Sequence, residues 1–276
     1  MEKELFIDRK DATRIRNLTG LNQICIDLKP NRSNSDVYIN QKFDVTKIVK
    51  YLEKNKDKDL TYFHIFVAAM GKMLYLRENL NYFVANRHLY KHDEVVISFV
   101  AKTSFDDKSE EIMVLIPIKK DDNIFTISDK IKTKIDSIRN KKEEKKGAND
   151  IIDTVGKLPN IIRVPFVGIF KYFDKLGLLP QSFIKDNIYY SSLIVSNLGS
   201  INCGAIYHNL TNFGTCSSLA TIGKVTKEKT KYFCEFGINL DERIADGFYM
   251  VKSMHLLQEI FDNPELLEND ICEKIN

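Results

Sequence analysis

The sequence predicts an α/β chain in which strands and helices alternate, and three stretches carry that expectation. Residues 37–43 alternate like a half-buried strand, and residues 44–54 switch to helical spacing with Val45, Ile48, Val49 and Leu52 on one face. Residues 60–76 read as a helix that is apolar on most sides, through Phe63, Ile65, Phe66, Val67, Met70, Met73 and Leu74, which places it centrally and buried. Residues 188–195 and 232–239 read as apolar strands, and 247–261 as a helix with Val251, Met254, Leu257 and Phe261 inward.

Between these stretches, residues 88–90 and 95–102 look like the two strands of a hairpin, and 112–117 like a short apolar strand. Residues 124–139 recur at helical spacing and run into the charge-dense segment 141–146. That run reads as a solvated helix end rather than a binding patch, because its charges partly cancel. Residues 150–186 form an apolar insertion punctuated by Pro159, Pro165, Gly168, Gly177 and Pro180. Two short amphipathic helices are expected there, broken between Pro159 and Pro165 and stopped near Gly177. So much apolar surface needs cover. It is supplied either by the protein's own core, by a subunit interface, or by a membrane touched peripherally through residues 158–179, where aromatic rings mix with Lys157, Arg163, Lys171 and Lys175.

Composition bounds the function. With 276 residues and 43% apolar content the chain can bury a sizeable core, and one domain spanning 1–276 is expected. A net charge of +3 from 41 basic and 38 acidic residues provides no basic field, so nucleic acid is not an expected partner. The N-terminal residues do not read as a signal peptide and no run of about 18 apolar residues occurs, so a cytoplasmic location is expected. The five cysteines, Cys25, Cys203, Cys216, Cys234 and Cys272, are widely spaced and odd in number, which argues against a disulfide framework or a zinc site. No metal is expected. Cys216 lies in the Gly214-Thr215-Cys216-Ser217 loop, close in sequence to the candidate chemistry, but reactivity requires an accessible, electropositive setting. Phosphate loops, dinucleotide fingerprints and nucleophile elbows are absent from the sequence.

The chemistry is concentrated in the last third. The segment Asp241-Glu242-Arg243-Ile244-Ala245-Asp246-Gly247 falls between an expected strand and an expected helix. It resembles the Asp-His-Arg-x-x-Asp-Gly signature of the dihydrolipoyl acyltransferase catalytic domain of 2-oxoacid dehydrogenase complexes, within the chloramphenicol acetyltransferase-like superfamily, with Glu242 at the histidine position. Residues 191–223 resemble that family's strand ending in Ser-Asn-Leu-Gly followed by a loop and a strand ending in Ile-Gly. Residues 60–83, ending in Asn79-Leu80-Asn81-Tyr82-Phe83, resemble its apolar helix and following turn. The three blocks stand in the family's order and cover most of the chain from about residue 37.

The resemblance implies a chloramphenicol acetyltransferase-like fold, a mixed sheet flanked by helices, assembled as a homotrimer with sites at subunit interfaces. CoA or acyl-CoA is the implied cosubstrate. Neither a lipoyl-bearing segment nor a peripheral-subunit-binding domain is evident, so a stand-alone form is expected. By resemblance, Glu242 takes the place of the catalytic base and Ser196 stabilises the oxyanion from a neighbouring subunit. Asp246 is implied to pair with an N-terminal arginine, for which Arg14, Arg16 and Arg32 are candidates; Arg243 and Gly247 complete the motif. The insertion then gains a third use, as a lid over an acyl chain.

The substitution sets a physical problem. A glutamate titrates at about 4.3 and a thiol at about 8.5, so full proton transfer between them costs about 5 to 6 kcal/mol. Burial raises a carboxyl group's pKa, whereas a neighbouring cation such as Arg243 or a helix N-terminus favours the charged form. His208 is the histidine within the matched blocks that offers a substitute imidazole, or else a loop histidine held by local hydrogen bonds. His64 reads as a satisfied core residue, and His88, His92 and His255 show no metal-ligand pattern. Three readings stay open: a CoA-dependent acyltransferase with a degenerate motif, a catalytically inactive trimeric scaffold or ligand-binding protein on the same fold, and hydrolytic or other chemistry in the same channel.

Overall fold

The computed structural model describes residues 8–102, 111–139 and 154–275. The charge-dense segment 141–146 and the extreme N-terminus lie outside the described residues. In chain order the elements are β1 (Ala12–Arg14), α1 (Gly20–Leu28), β2 (Asp36–Asp44), α2 (Thr46–Lys54), α3 (Tyr62–Leu76), β3 (Tyr82–Ala85), β4 (His88–His92), β5 (Val95–Lys102), β6 (Glu111–Ile118) and α4 (Ile124–Arg139). They continue with α5 (Asn160–Lys175), α6 (Gln181–Lys185), β7 (Leu193–Asn197), β8 (Ser218–Glu228), β9 (Lys231–Asp241) and α7 (Gly247–Asp262).

A six-stranded mixed sheet has the order β2-β9-β8-β7-β5-β6, parallel at β5–β7 and β7–β8 and antiparallel elsewhere. Its inner face carries Ile39, Val195, Ala220, Phe236, Ile238 and Leu240 against α2, α3 and α7. Strand alternation sends every second residue to the outer face. The inner core is keyed by rings: Phe43 lies edge-on to Phe236 and Phe261, with centroids 5.1 Å away in each case, and Phe66 meets Phe236 at the same spacing. Such pairs add about 0.5–1.5 kcal/mol each beyond area burial.

Helix α3 is the buried central helix that its composition requires. Thr61 caps it by accepting from the His64 amide, while His64 Nδ1 accepts from the Thr61 amide and lies 3.0 Å from Ser128 Oγ. Burial holds the His64 pKa down at about 4, so this histidine is a neutral, satisfied core residue.

Several local expectations are corrected. β4 does not form a hairpin with β5. It pairs with β3 through Asn86 and Arg87, both left-handed at φ 47° and 62°, the geometry of a two-residue hairpin turn, while β5 pairs with β6 in the other sheet. The strand expected at 188–195 begins only at Leu193, because Ile188–Tyr190 makes a 3-10 turn. Val251 is 54% exposed, since α7 is rolled to bury Met250, Met254, Leu257 and Phe261.

The largest correction is α5. Pro165 does not break it: the Ile161 carbonyl that the proline leaves without a helical donor belongs to a residue 84% exposed, where water can take its place. The helix ends at Gly177 (φ 68°), with Leu178 N–H donating to Phe173 O and Gly177 N–H to Asp174 O. Asp174 anchors it by accepting from Arg9, Tyr190 Oη and the Gly214 amide. Yet Ile161, Ile169 and Tyr172 face outward at 58% exposure or more, so this face of α5 is not packed on the protein's own core, whereas Leu179, Phe183 and Ile184 further along the insertion are buried. Only the Phe170 side joins a small aromatic cluster of Phe183, Tyr190 and Phe213.

Candidate active site

The strand-to-helix turn is built around Asp241, the last residue of β9 and fully buried. Its carboxylate accepts from Arg243 three times, at 3.1 Å from the backbone amide, 2.8 Å from Nε and 2.6 Å from Nη2. Arg32 Nε lies 3.9 Å from the same carboxylate. Arg32 also donates to Thr211 O at 2.6 Å and Gly214 O at 3.1 Å, and Arg243 donates to Lys29 O at 2.8 Å. One buried carboxylate thus ties together the turn, the end of α1 and the loop after β7. Burial lowers the Arg32 pKa, with Asp241 acting in the opposite direction.

This geometry corrects the role expected of Asp246. Asp246 is exposed and caps α7, accepting from Tyr249 N–H at 2.7 Å, so its side chain is committed locally and pairs with none of the three arginines. Arg14 and Arg16 reach Asp8, and Arg32 reaches Asp241. No glycine is sterically required at position 247, since a Cβ there meets open space.

Glu242 follows Asp241 and points to the inner side of the sheet. Its backbone amide donates to Ser35 O at 2.9 Å, and its side chain is ion-paired with Lys29. It lines a cavity of about 790 Å³ bounded by α1 (Asn22, Cys25), β2 (Val37, Ile39, Gln41) and the start of α7 (Asp246, Tyr249, Met250, His255). Tyr249 is held in this wall by Arg77, whose guanidinium lies 3.6 Å over its ring, and by the Asn79 amide donating to its hydroxyl. Neither Lys29 nor His255 carries a motif in the sequence that marks it as a site residue. Lys29 lies more than two hundred positions away and carries no local signal.

Ser196 lies elsewhere. It alternates with Leu193 and Val195, which enter the inner core, so it stands on the outer face beside Thr221, its register partner on β8. Residues 203–213 cross that face diagonally. Lys224 N–H donates to Cys203 O, His208 N–H to Asn239 Oδ1 at 3.2 Å, and Leu210 N–H to Asp36 Oδ2 at 3.0 Å. The crossing is so close that a Cβ at Gly237 would lie 2.3 Å from Ile206 O. Beneath the loop, His208 Nε2, Thr221 Oγ1, Asn239 Nδ2 and Asp36 Oδ1 are buried without a hydrogen-bond partner among the described residues. Burial also raises the Asp36 pKa. Cys216 is buried with its thiol donating to Ser218 O and its pKa raised, the opposite of a reactive setting.

The fold therefore brings His208 and Ser196 to one face of the sheet and places Glu242 on the other. Within one chain the sheet separates Glu242 from Ser196. Among the described residues no cluster of potential metal ligands occurs.

No family model and no curated protein matches the chain. Solved structures do. A dihydrolipoamide acetyltransferase of Azotobacter vinelandii, studied for the role of a serine, a histidine and an asparagine in its catalytic mechanism, aligns with a TM-score of 0.60 at 13% identity over 92% of this chain and 93% of its own. The truncated catalytic core of a 2-oxoacid dehydrogenase multienzyme complex from Thermoplasma acidophilum aligns at 0.59 and 15% identity, over 91% and 98%. A chloramphenicol acetyltransferase aligns at 0.58 and 10% identity, over 91% and 99%. The chain has the chloramphenicol acetyltransferase-like fold. At these identities it is the architecture that is shared, in agreement with the mixed sheet and flanking helices expected from the motifs.

Proposed function

We propose that the protein is a CoA-dependent acyltransferase whose active site forms between copies of the chain in a homotrimer. The observation that carries this reading is the placement of Glu242: a rigid strand-to-helix turn presents it to a cavity of about 790 Å³ in an acetyltransferase architecture. That volume lies within the roughly 300–1,000 Å³ range of small-molecule sites. Since the sheet separates Glu242 from Ser196 within a chain, a shared reacting atom requires the serine of a second copy.

In this mechanism the acceptor attacks the thioester carbonyl of acyl-CoA. Glu242 receives the acceptor's proton, Ser196 donates a hydrogen bond to the oxyanion, and the CoA thiolate leaves. A carboxylate base suits an amine acceptor better than a thiol. An amine attacks in its neutral form and becomes acidic only once the new bond has formed, whereas a thiol must lose its proton to be a good nucleophile. His208 provides the substitute base in a variant of this scheme, its unpartnered Nε2 lying on the Ser196 face.

The Lys29–Glu242 ion pair favours a second reading, a trimeric binding protein for CoA-like or lipid-like ligands without turnover, because it occupies the carboxylate that would act as base. Titration calorimetry with CoA and acetyl-CoA, together with thiol release in the presence of amine, hydroxyl and thiol acceptors, separates the readings. Turnover that collapses in Glu242→Gln supports the carboxylate base, and turnover that survives there but collapses in His208→Ala supports the imidazole. Binding without turnover supports the second reading, and absence of both overturns the CoA assignment.

A further inference from the structure

A second cavity lies under α5, away from the turn and independent of the acyl-transfer reading. It encloses about 350 Å³ between α5, α6 and the loop that follows the outer-face crossing. Its walls are aromatic. Phe170 lies 4.9 Å edge-on to Phe183 and 6.2 Å from Phe213, and Tyr189 meets Phe213 at 6.1 Å. Arg163 and Lys171 also line it, and the lining includes no acidic side chain. Arg163 is steadied by donating to Gly156 O at 2.9 Å and to Asn160 Oδ1 at 2.5 Å, bonds to neutral groups that leave its charge unbalanced. Lys171 has no acidic partner among the described residues. The acid nearest in sequence, Asp174, is turned away and committed to Arg9, Tyr190 and Gly214.

Apolar walls with a few convergent polar groups are the pattern of ligand sites, and the volume falls near the lower end of their range, about 300 Å³. Two cations without counter-charges among the described residues select the sign of the head group. We propose that this cavity binds an anionic amphiphile, one apolar chain or ring ending in a carboxylate or phosphate, with the apolar part among Phe170, Phe183 and Phe213 and the head group at Arg163 and Lys171. A free fatty acid and the equivalent group of a membrane lipid share this chemistry.

Titration calorimetry with decanoate, with decanol as its uncharged counterpart, tests the assignment. The wild type is expected to bind one decanoate per chain. Val167→Trp fills the cavity from a position already 37% exposed, and is expected to weaken decanoate binding by at least about tenfold. The double change Arg163→Gln and Lys171→Gln, at a half-buried and an exposed position, is expected to weaken decanoate by about tenfold and leave decanol unchanged. Ile169→Asp, on the outward face, is expected to change neither. Failure of the wild type to bind decanoate overturns the proposal, as does binding that neither the filling nor the charge variant affects. Binding confined to vesicles of phosphatidylcholine and phosphatidylserine, lost in Ile169→Asp and retained in Val167→Trp, also overturns it and assigns the helix to a bilayer surface instead.

Discussion

Lys29 and Glu242 are paired beside the larger cavity, joining the residue that caps the C-terminus of α1 to the residue at the head of the 241–247 turn. Both are about one-third exposed, at 38% and 34% of their side-chain surface. The pair therefore contributes little to stability, within about 1 kcal/mol. Its consequence is functional. Lys29→Met is expected to leave the urea midpoint nearly unchanged and, under the acyl-transfer reading, to raise amine acylation by releasing the carboxylate. Unchanged or lower turnover in the folded variant would count against Glu242 as the base.

The separation of Glu242 and Ser196 by the sheet predicts complementation. Glu242→Gln and Ser196→Ala chains are each expected to be inactive alone, and to regain part of the activity when unfolded and reassembled together. Mixed assemblies then contain interfaces with both native residues. Sedimentation of the wild type as a trimer is the accompanying expectation. A monomer, or mixtures as inactive as their components, would contradict an interfacial site.

Asp241 is the electrostatic centre of the turn. Asp241→Asn leaves Arg243 buried without its counter-charge and weakens the link to Arg32, a change expected to cost about 3–5 kcal/mol in urea unfolding. Asp246→Ala removes only a helix cap and is expected to cost about 1 kcal/mol. Equal losses would return Asp246 to the structural role implied by the motif.

The buried histidines make stability fall with falling pH. His92 contacts Thr215 Oγ1 at 3.1 Å, lies tilted with its ring centroid 4.6 Å from that of Phe83, and has its pKa lowered by burial to about 4, as does His64. A histidine in the unfolded chain protonates first as pH falls, so the stability present above 6.5 is lost progressively down to about pH 4. His92 alone contributes about 3 kcal/mol across that window. Urea midpoints are expected to fall between pH 7 and pH 4.5, and less steeply in His92→Gln.

Gly237 tests the loop crossing. Gly237→Ala places a methyl group 2.3 Å from Ile206 O, backbone against backbone, and is expected to cost about 1–3 kcal/mol and to raise hydrogen exchange across residues 203–210. Faster exchange confined to β9 would mean that the strand gives way instead.

The parts of the site readable from sequence are those built by neighbours in the chain. The order strand, turn, helix around 241–247 follows from apolar periodicity, and α3 from its composition. Asp246 shows where that reasoning stops. The motif pointed to an arginine partner, but a helix N-terminus three residues from a free amide claims the side chain first. The β3–β4 hairpin is not legible in the sequence because Asn86 and Arg87 do not advertise a left-handed turn as Asn-Gly would. Pro165 reads as a breaker in the sequence because its position at a solvated face is not encoded in its neighbours.

From its residues alone this protein is determined as an α/β chain with a buried central helix and a strand-to-helix turn at 241–247, because periodicity and turn chemistry act over a few positions. Only the tertiary structure decided that Lys29 meets Glu242, that Arg32 joins Asp241 rather than Asp246, and that Ser196 and Glu242 stand on opposite faces. These relationships depend on which distant segments the sheet order brings together and on which groups are thereby removed from water, and local sequence carries neither.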